Sequence, residues 1–476
     1  MRKTKIVCTL GPASASEETI EAMLRAGMNI ARLNFSHGTH ESHLEYINTF
    51  RRVRDRLGLP AAVMLDTKGP EIRVGTFADG AVPLADGAEF TLTTAECEGN
   101  AERAFVNYAE LPSKLKEGDV LKLDDGRISM KVRSVSDRDI VCEITHGGVL
   151  KDRKSVNVPG VALGMTFLSE RDKKDLLFGI EHDIDFISAS FVRSKQDVVD
   201  MRKFLDYNGG HDIKIIAKIE NTEGIDNFDE ILSAADGIMV ARGDMGVEVP
   251  FERLPGIQKR FIRRCYRSGK MVITATQMLE SMVHNPTPTR AEITDVANAV
   301  FDGTSAVMLS GESAMGEYPV EAVRTMAAIA EQAEKDAFEM DVYRGIGHDV
   351  ESQETTNAIC DAAAKAAHDM NARAIIAVTM RGHTARRMSK FRPEEPIIAA
   401  TPLLKTFHQL SLSWGVYPVI ARFITSSDEL FVHAVDCAKQ LDMVQDGDRV
   451  VVTAGIPLET SASTNLMRIQ TVGERF

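Results

Sequence analysis

Eight short apolar runs, each ending in polar or charged residues, recur along this chain with helical patterns between them. They begin near residues 3, 28, 61, 185, 213, 237, 271 and 305, at roughly 25- to 34-residue intervals apart from one long gap after the third. Runs of this length between helices read as strands buried on both faces. Strand–helix alternation with short connections makes those strands parallel. Eight such units point to an α/β fold, a closed (β/α)8 TIM barrel. A doubly wound open sheet is the alternative. No GxGxxG opens a helix and no GxxxxGK[ST] loop is present, which weighs against its usual nucleotide-binding versions.

The long gap has a different rhythm. Between residues 75 and 157 apolar residues recur at every second position, as in Val120-Leu121-Lys122-Leu123 and Ile128-Ser129-Met130-Lys131-Val132, with the hairpin signal Asp125-Gly126 between them. This reads as an inserted antiparallel β domain, a small β-barrel lid hinged near Pro70 and Gly160 to Gly164. After a polar linker at 341–353 comes a third unit. It has helices at 354–369 and 384–391, strands at 374–379, 396–400, 448–454 and 466–472, and two more helical stretches. The expected division is barrel 1–69 and 166–345, lid 70–165, and a C-terminal α/β regulatory domain 346–476. Within the barrel, Ser14-Ala15-Ser16-Glu17 is a capping-box opening of a helix that Gly27 closes, and a second helix runs over 40–57 to Gly58.

Bulk properties exclude several classes. A formal net charge of −13 argues against general nucleic-acid binding, which needs a basic footprint. No apolar run approaches the ~20 residues of a membrane span. The basic start, Met1-Arg2-Lys3, runs straight into a strand pattern without the apolar core of a signal peptide, so a cytoplasmic location is expected. The six cysteines are scattered without a CxxC and read as free, buried thiols.

The strand ends carry the chemistry. Ile215-Ile216-Ala217-Lys218-Ile219-Glu220 and Met239-Val240-Ala241-Arg242-Gly243-Asp244 end two neighbouring strands, so Glu220 and Asp244 can share a divalent cation with the Lys218 ammonium beside it. Structural ion pairing is the bland alternative for any one of them. Asn34, Ser36, Asp66 and Thr67 offer only hard oxygens with a single carboxylate, which suits K⁺ better than zinc; ordinary turn and capping roles are the alternative. Arg32 and Arg73 are forked cations suited to phosphate. Thr276 would point a hydroxyl into the same mouth, and Ser310 and Glu312 add proton-relay candidates. Gly243 allows close backbone approach, and a helix start there would offer N–H groups to an anion. His37, His40 and His43 have a spacing that invites zinc, but without a carboxylate they read as solvent-facing. The set fits phosphoryl transfer, which needs charge neutralisation and positioning more than a covalent nucleophile. A metal-dependent lyase or aldolase acting on a pyruvate-type enolate is the second reading.

The runs Arg32-Leu33-Asn34-Phe35-Ser36-His37-Gly38, Leu65-Asp66-Thr67-Lys68-Gly69-Pro70-Glu71-Ile72-Arg73 and Ala217-Lys218-Ile219-Glu220-Asn221 resemble the pyruvate kinase family, as do 239–248, 274–282, 286–292 and 302–319. The resemblance implies phosphoryl transfer from phosphoenolpyruvate to ADP, giving pyruvate and ATP. It assigns Mg²⁺ (or Mn²⁺) to Glu220 and Asp244, and K⁺ to Asn34, Ser36, Asp66 and Thr67. It gives Lys218, Thr276, Arg73, Ser310 and Glu312 catalytic roles. Arg32, Lys218, Gly243, Asp244 and Thr276 then bind substrate, and Arg32, Asn34, His37, Arg73 and Lys154 serve the nucleotide. Glu71 resembles the acidic residue of K⁺-dependent members. A homotetramer and a phosphorylated allosteric effector at Thr379, Arg381, Gly382, His383 and Thr384 are implied too. Arg381 stands where serine is usual, and Glu459 in the closing loop would repel a second phosphate. These departures disfavour fructose 1,6-bisphosphate and leave a sugar monophosphate, AMP or no effector.

Overall fold

The structure, a computed structural model, describes residues 1–343, 354–457 and 463–474. All eight runs are strands: Lys5–Thr9, Ile30–Asn34, Ala62–Asp66, Phe186–Ala189, Lys214–Ile219, Gly237–Ala241, Met271–Ala275 and Ala306–Leu309. Each pairs in parallel with its neighbours, and the first pairs with both the second and the eighth, so the sheet closes into a barrel in chain order. Pairing sets Asn34 beside Asp66 and Ile219 beside Val240, so the polar strand ends converge on one rim.

Local chemistry sets the helix ends. The helix His40–Leu57 starts at Thr39, whose side chain accepts from the Ser42 amide, and stops at Gly58 in the left-handed conformation. The preceding helix, Glu17–Ala26, starts two residues later than the sequence pattern suggests. Ser16 alone caps it, accepting from the Thr19 amide, while Ser14 belongs to a short preceding turn and bonds Gly11. The three histidines correct a second expectation. His43 is buried, bonds the His37 carbonyl through Nε2 and stacks on Phe35 at 4.2 Å between ring centroids; His40 bonds Asp175 at 2.6 Å. His37 is exposed and His40 half-exposed, so only His43 departs fully from a solvent-facing role.

The barrel interior is filled by Val7, Met64, Phe186, Ile216, Met239 and Ile273 among others. Leu412 of the C-terminal unit is fully buried in the same cluster. Burying one such leucine is worth ~1.5–3 kcal/mol, and here it also plugs the N-terminal end of the barrel. Gln409 bonds the carbonyls of Asp185 and Asp212 beside it, and Lys405 bonds Asp183. Between them in the same segment, His408 is buried with neither ring nitrogen paired, and burial with the Arg54 charge pulls its pKa down to about 4. The unfolded chain therefore takes up that proton first. Stability is expected to be unaffected by His408 above pH ~6.5 and to fall as the pH drops towards 4, by up to about 2 kcal/mol after allowance for screening. His408→Leu should remove that part of the slope in urea unfolding at pH 7 and pH 5.

The insert has its own core, built from Phe90, Leu92, Leu121, Met130, Val132 and Cys142 among others. Its strands form a six-stranded sheet and a two-stranded ribbon. One pair, Glu89–Thr93 with Arg103–Phe105, is parallel, so the insert is mixed rather than wholly antiparallel. Val120–Leu123 and Ile128–Val135 form the expected hairpin, with Asp124, Asp125 and Gly126 all at positive φ in the turn. That tip rests on the barrel: Lys122 Nζ donates to the Val247 carbonyl, and Asn157 Nδ2 to Glu248 Oε1 at 3.3 Å.

The C-terminal unit is a five-stranded sheet flanked by helices. It contains a strand, Val416–Ile420, that the sequence pattern did not reveal. It lies at the sheet edge, where Pro418 is tolerated. The expected linker at 341–353 and Glu459 fall mostly or wholly outside the described residues. No helix among the described residues is long and apolar enough to cross a membrane.

Candidate active site

Lys218 occupies the centre of the mouth. Its ammonium lies 2.7 Å from Ser190 Oγ, 2.9 Å from Glu220 Oε1 and 3.1 Å from Asp66 Oδ1, and the side chain is buried. Burial works against the charge, but Asp66 and Glu220 more than offset it, so Lys218 stays protonated with a raised pKa. Asp66 is shared with Arg32, whose Nε lies 2.7 Å from Oδ2 and whose Nη1 donates to Thr9 Oγ1. Burial costs the Asp66 charge, yet these two cations hold its pKa below the usual range.

Glu220 and Asp244 behave differently. Glu220 is buried and Asp244 half-buried at the edge of the cleft, and desolvation raises both carboxyl pKa values; Asp244 adds to the rise at Glu220. Lys218 opposes this only in part. Glu220 Oε2 also accepts the Phe191 amide at 2.6 Å. Two neighbouring carboxyls whose ionisation burial opposes share Lys218 as a cation that offsets the cost only in part. That is the environment a divalent cation relieves. The residues therefore fit such an ion, and its remaining positions would be open to substrate and water.

The oxygen set at the second and third strand ends also fits its expected ion. Asn34 Oδ1 accepts the Ser36 amide at 3.1 Å, and Thr67 Oγ1 accepts the Ser190 amide at 3.1 Å. Asp66, with about four lone-pair sites, already receives Lys218, Ser190 and Arg32. The donors are all hard oxygens with one carboxylate, the chemistry a monovalent cation accepts.

Thr276 sits on the opposite side. Its hydroxyl donates to the Ala275 carbonyl at 2.6 Å and accepts the Gly243 amide at 2.8 Å. Its φ of 69° is a conformation β-branched residues avoid, and Gln277 follows at 55°. Strain of this kind persists where surroundings enforce it, and Glu312 supplies part of that enforcement. It is fully buried, with Oε1 accepting the Leu279 amide and Oε2 the Ser310 amide. Both Glu312 oxygens are thus spent on backbone amides, as the Thr276 hydroxyl is on the Ala275 carbonyl and the Gly243 amide.

The remaining residues lie further out. Arg73 is at the lid hinge, its Nε on Glu71 at 2.8 Å and its Nη1 on the Arg153 carbonyl. Lys154 pairs with Asp124 at 2.7 Å. Between lid and barrel is a cleft of about 380 Å³, bordered by Glu71, Asp125, Asn157, Phe191, Asp244 and Glu248. A cleft of this size admits a small ligand. In the C-terminal unit, Thr379, Arg381, His383 and Thr384 share a separate cavity of about 390 Å³ with Arg422 and Phe423, and Thr384 and Thr464 bond at 2.6 Å. Gly382 precedes the helix there at φ 78°.

The fourth strand end carries side chains that no motif in the sequence singles out. Ser190 joins Lys218, Asp66 and, at 2.6 Å, the Thr67 carbonyl, while Phe191, at φ 55°, directs its amide to Glu220. The signal was available in Ser188-Ala189-Ser190, hydroxyls at a strand end. Ser190→Ala is expected to lower kcat about tenfold, the loss of one hydrogen bond to a charged group, and to raise the K⁺ concentration needed for half-activation. Steady-state titration with K⁺ reads both.

A (β/α)8 barrel whose mouth pairs a caged lysine with two facing carboxylates under a hinged β insert defines an enzyme for anionic substrates. Residues 1–323 match the model of the pyruvate kinase barrel domain, and 357–470 that of the pyruvate kinase alpha/beta domain. The chain is 47% identical over 473 residues to the pyruvate kinase of Clostridium acetobutylicum, covering 99% of this chain and 100% of that one. It is 48% identical to that of Staphylococcus saprophyticus, across 100% of this chain and 81% of the relative. The solved structure of a pyruvate kinase from Cryptosporidium parvum superposes with a TM-score of 0.93 at 39% identity, covering 99% of this chain and 96% of that one. The chain belongs to the pyruvate kinase family. The family is a phosphotransferase family and generally metal-dependent, and the lyase reading finds no support.

Proposed function

We propose that this chain moves the phosphoryl group of phosphoenolpyruvate to ADP with Mg²⁺ or Mn²⁺ held by Glu220 and Asp244, and K⁺ held by Asn34, Ser36, Asp66 and Thr67. The observation that carries this reading is the Lys218 cage, an obligate cation placed between the two carboxylate sites. Held by these residues, the divalent ion would supply neutralising charge for phosphoryl and carboxylate oxygens, and the monovalent ion further positive charge in the mouth.

The chain's own residues do the rest. Lys218 stabilises charge on the transferring phosphoryl oxygens and then on the enolate oxygen. The bond from phosphorus to the enol oxygen breaks as one forms to a β-phosphate oxygen of ADP. The enolate then takes a proton at its methylene carbon, giving pyruvate. Thr276 and Ser310 line the proton's path, with Glu312 fixing the loop that carries Ser310. Arg73 lies at the hinge, where lid movement would bring it to the phosphoryl group. The lid rests on Val247 and Glu248 in the helix Arg242–Glu248, which also carries Asp244, so water exclusion and assembly of the carboxylate pair share one element.

Glu71 and the oxygen set imply K⁺ dependence. Pyruvate release from phosphoenolpyruvate and ADP in a coupled assay is expected to fall at least about tenfold when K⁺ is replaced by a bulky organic cation; equal kcat and KM would contradict the assignment. The same assay with sugar monophosphates, AMP and fructose 1,6-bisphosphate tests the C-terminal cavity, where Thr379, Thr384 and Arg381 favour one phosphate. A homotetramer and a cytoplasmic location complete the reading. Sedimentation and cell fractionation test them.

A further inference from the structure

Away from the mouth, at the junction of the barrel and the C-terminal unit, is a small cavity bordered by Lys270, Arg386, Lys390, Arg392, Ser413 and Trp414. Tyr266 and Ser305 of the barrel close its other side. Four cationic residues border it and no carboxylate does. Buried cations are normally paired. Arg392 is buried, and its two terminal nitrogens donate only to the Ser389 carbonyl and hydroxyl and to the Gly303 carbonyl. Its guanidinium stacks on Trp414 at 4.6 Å, and its backbone is held at φ 48°, a conformation that fixes where the side chain points.

Three donors here lack a partner among the described residues: Arg392 Nε, the Trp414 indole N–H and the Ser413 hydroxyl. All three belong to buried residues bordering this cavity. A buried donor left unpaired costs ~1–3 kcal/mol, so three at one place imply a common acceptor. Burial pulls the pKa of Arg392 down to about 10, and burial lowers Arg386, Lys390 and Lys270 as well. The carboxylates that act on these cations, Asp236, Glu354, Asp361 and Glu334, do not border the cavity. The room is about 10 Å³, space for one water-sized sphere. That excludes phosphate and any sugar phosphate. It leaves a monoatomic acceptor; Lys270 and Arg386 spend nitrogens on carbonyls elsewhere, so it is the buried Arg392 guanidinium, with its free Nε, that favours an anion over water.

We propose that this cavity binds a single halide-class anion, chloride or its equivalent, which joins Arg392, Ser413 and Trp414 of the C-terminal unit across to the barrel.

The chain has one tryptophan, Trp414, and it is fully buried. Bromide quenches an indole that it touches, so emission of the full-length protein reads occupancy directly. With K⁺ and ionic strength held constant against gluconate, added bromide is expected to quench Trp414 saturably, and chloride to reverse the quenching. Ser413→Ala removes one donor whose hydroxyl has no other bond, so it should fold normally and weaken bromide binding roughly tenfold. Crystals grown in bromide should show an anomalous peak beside Arg392 Nε. Quenching that is absent, or linear and indifferent to chloride, overturns the proposal, as does ordered water in the cavity of those crystals without an anomalous peak.

Discussion

Lys218→Met is expected to lower kcat by about 10³-fold or more while leaving the fold intact. The magnitude follows from removing a preorganised charge that faces the transferring group in a buried site, where single donor losses already cost ~10²–10³-fold. The fold should survive because each former partner keeps another. Asp66 retains Arg32 and Ser190, and Glu220 retains the Phe191 amide and can take up a proton, its pKa being raised already by burial. KM for phosphoenolpyruvate should change far less than kcat, since the ammonium acts most on charge that develops during transfer. Circular dichroism with steady-state kinetics separates the two effects. Near-normal turnover in a folded variant would remove Lys218 from its role.

Asp244→Asn should give a split result. Losing a residue that merely supports a metal ligand costs about 10–100-fold in affinity, so losing a direct carboxylate is expected to cost at least about 100-fold in the Mn²⁺ or Mg²⁺ concentration needed for activity. Stability should move the other way. Burial holds the Asp244 pKa up, which means its charged form is disfavoured in the folded protein. Removing that charge relieves Glu220, so the metal-free variant should melt no lower than the parent, while the stabilisation gained on adding Mn²⁺ should largely vanish. Metal titrations followed by thermal melting read both signs in one experiment. A variant that melts several degrees lower and keeps its metal response would contradict the assignment.

The barrel was legible because a parallel strand buried on both faces leaves an unbroken apolar run, and the charges that end each run must then lie at one rim. Lys218, Glu220 and Asp244 could be read that way. The network that holds them could not. Ser190 reaches Asp66, Thr67 and Lys218 across three strands, and the Phe191 amide serves Glu220; side chain and backbone contacts between distant strands leave no spacing in the chain. Arg32, read as facing the nucleotide, is committed to Asp66 and Thr9, and Glu312, read as a proton relay, to two backbone amides. The edge strand Val416–Ile420 leaves no strand pattern because Pro418 interrupts it. Leu412 looked like one more apolar residue until the barrel floor it seals was in view.

Everything proposed for the mouth requires Glu220 and Asp244 to hold one divalent ion beside the Lys218 ammonium. Diffraction from crystals of the full chain soaked in Mn²⁺, with data collected at the manganese edge, tests it directly. A single anomalous peak is expected between the two carboxylates, within about 2.0–2.6 Å of an oxygen from each, the range for hard cations on oxygen. A peak bound by only one of them, or located elsewhere in the mouth, would contradict it.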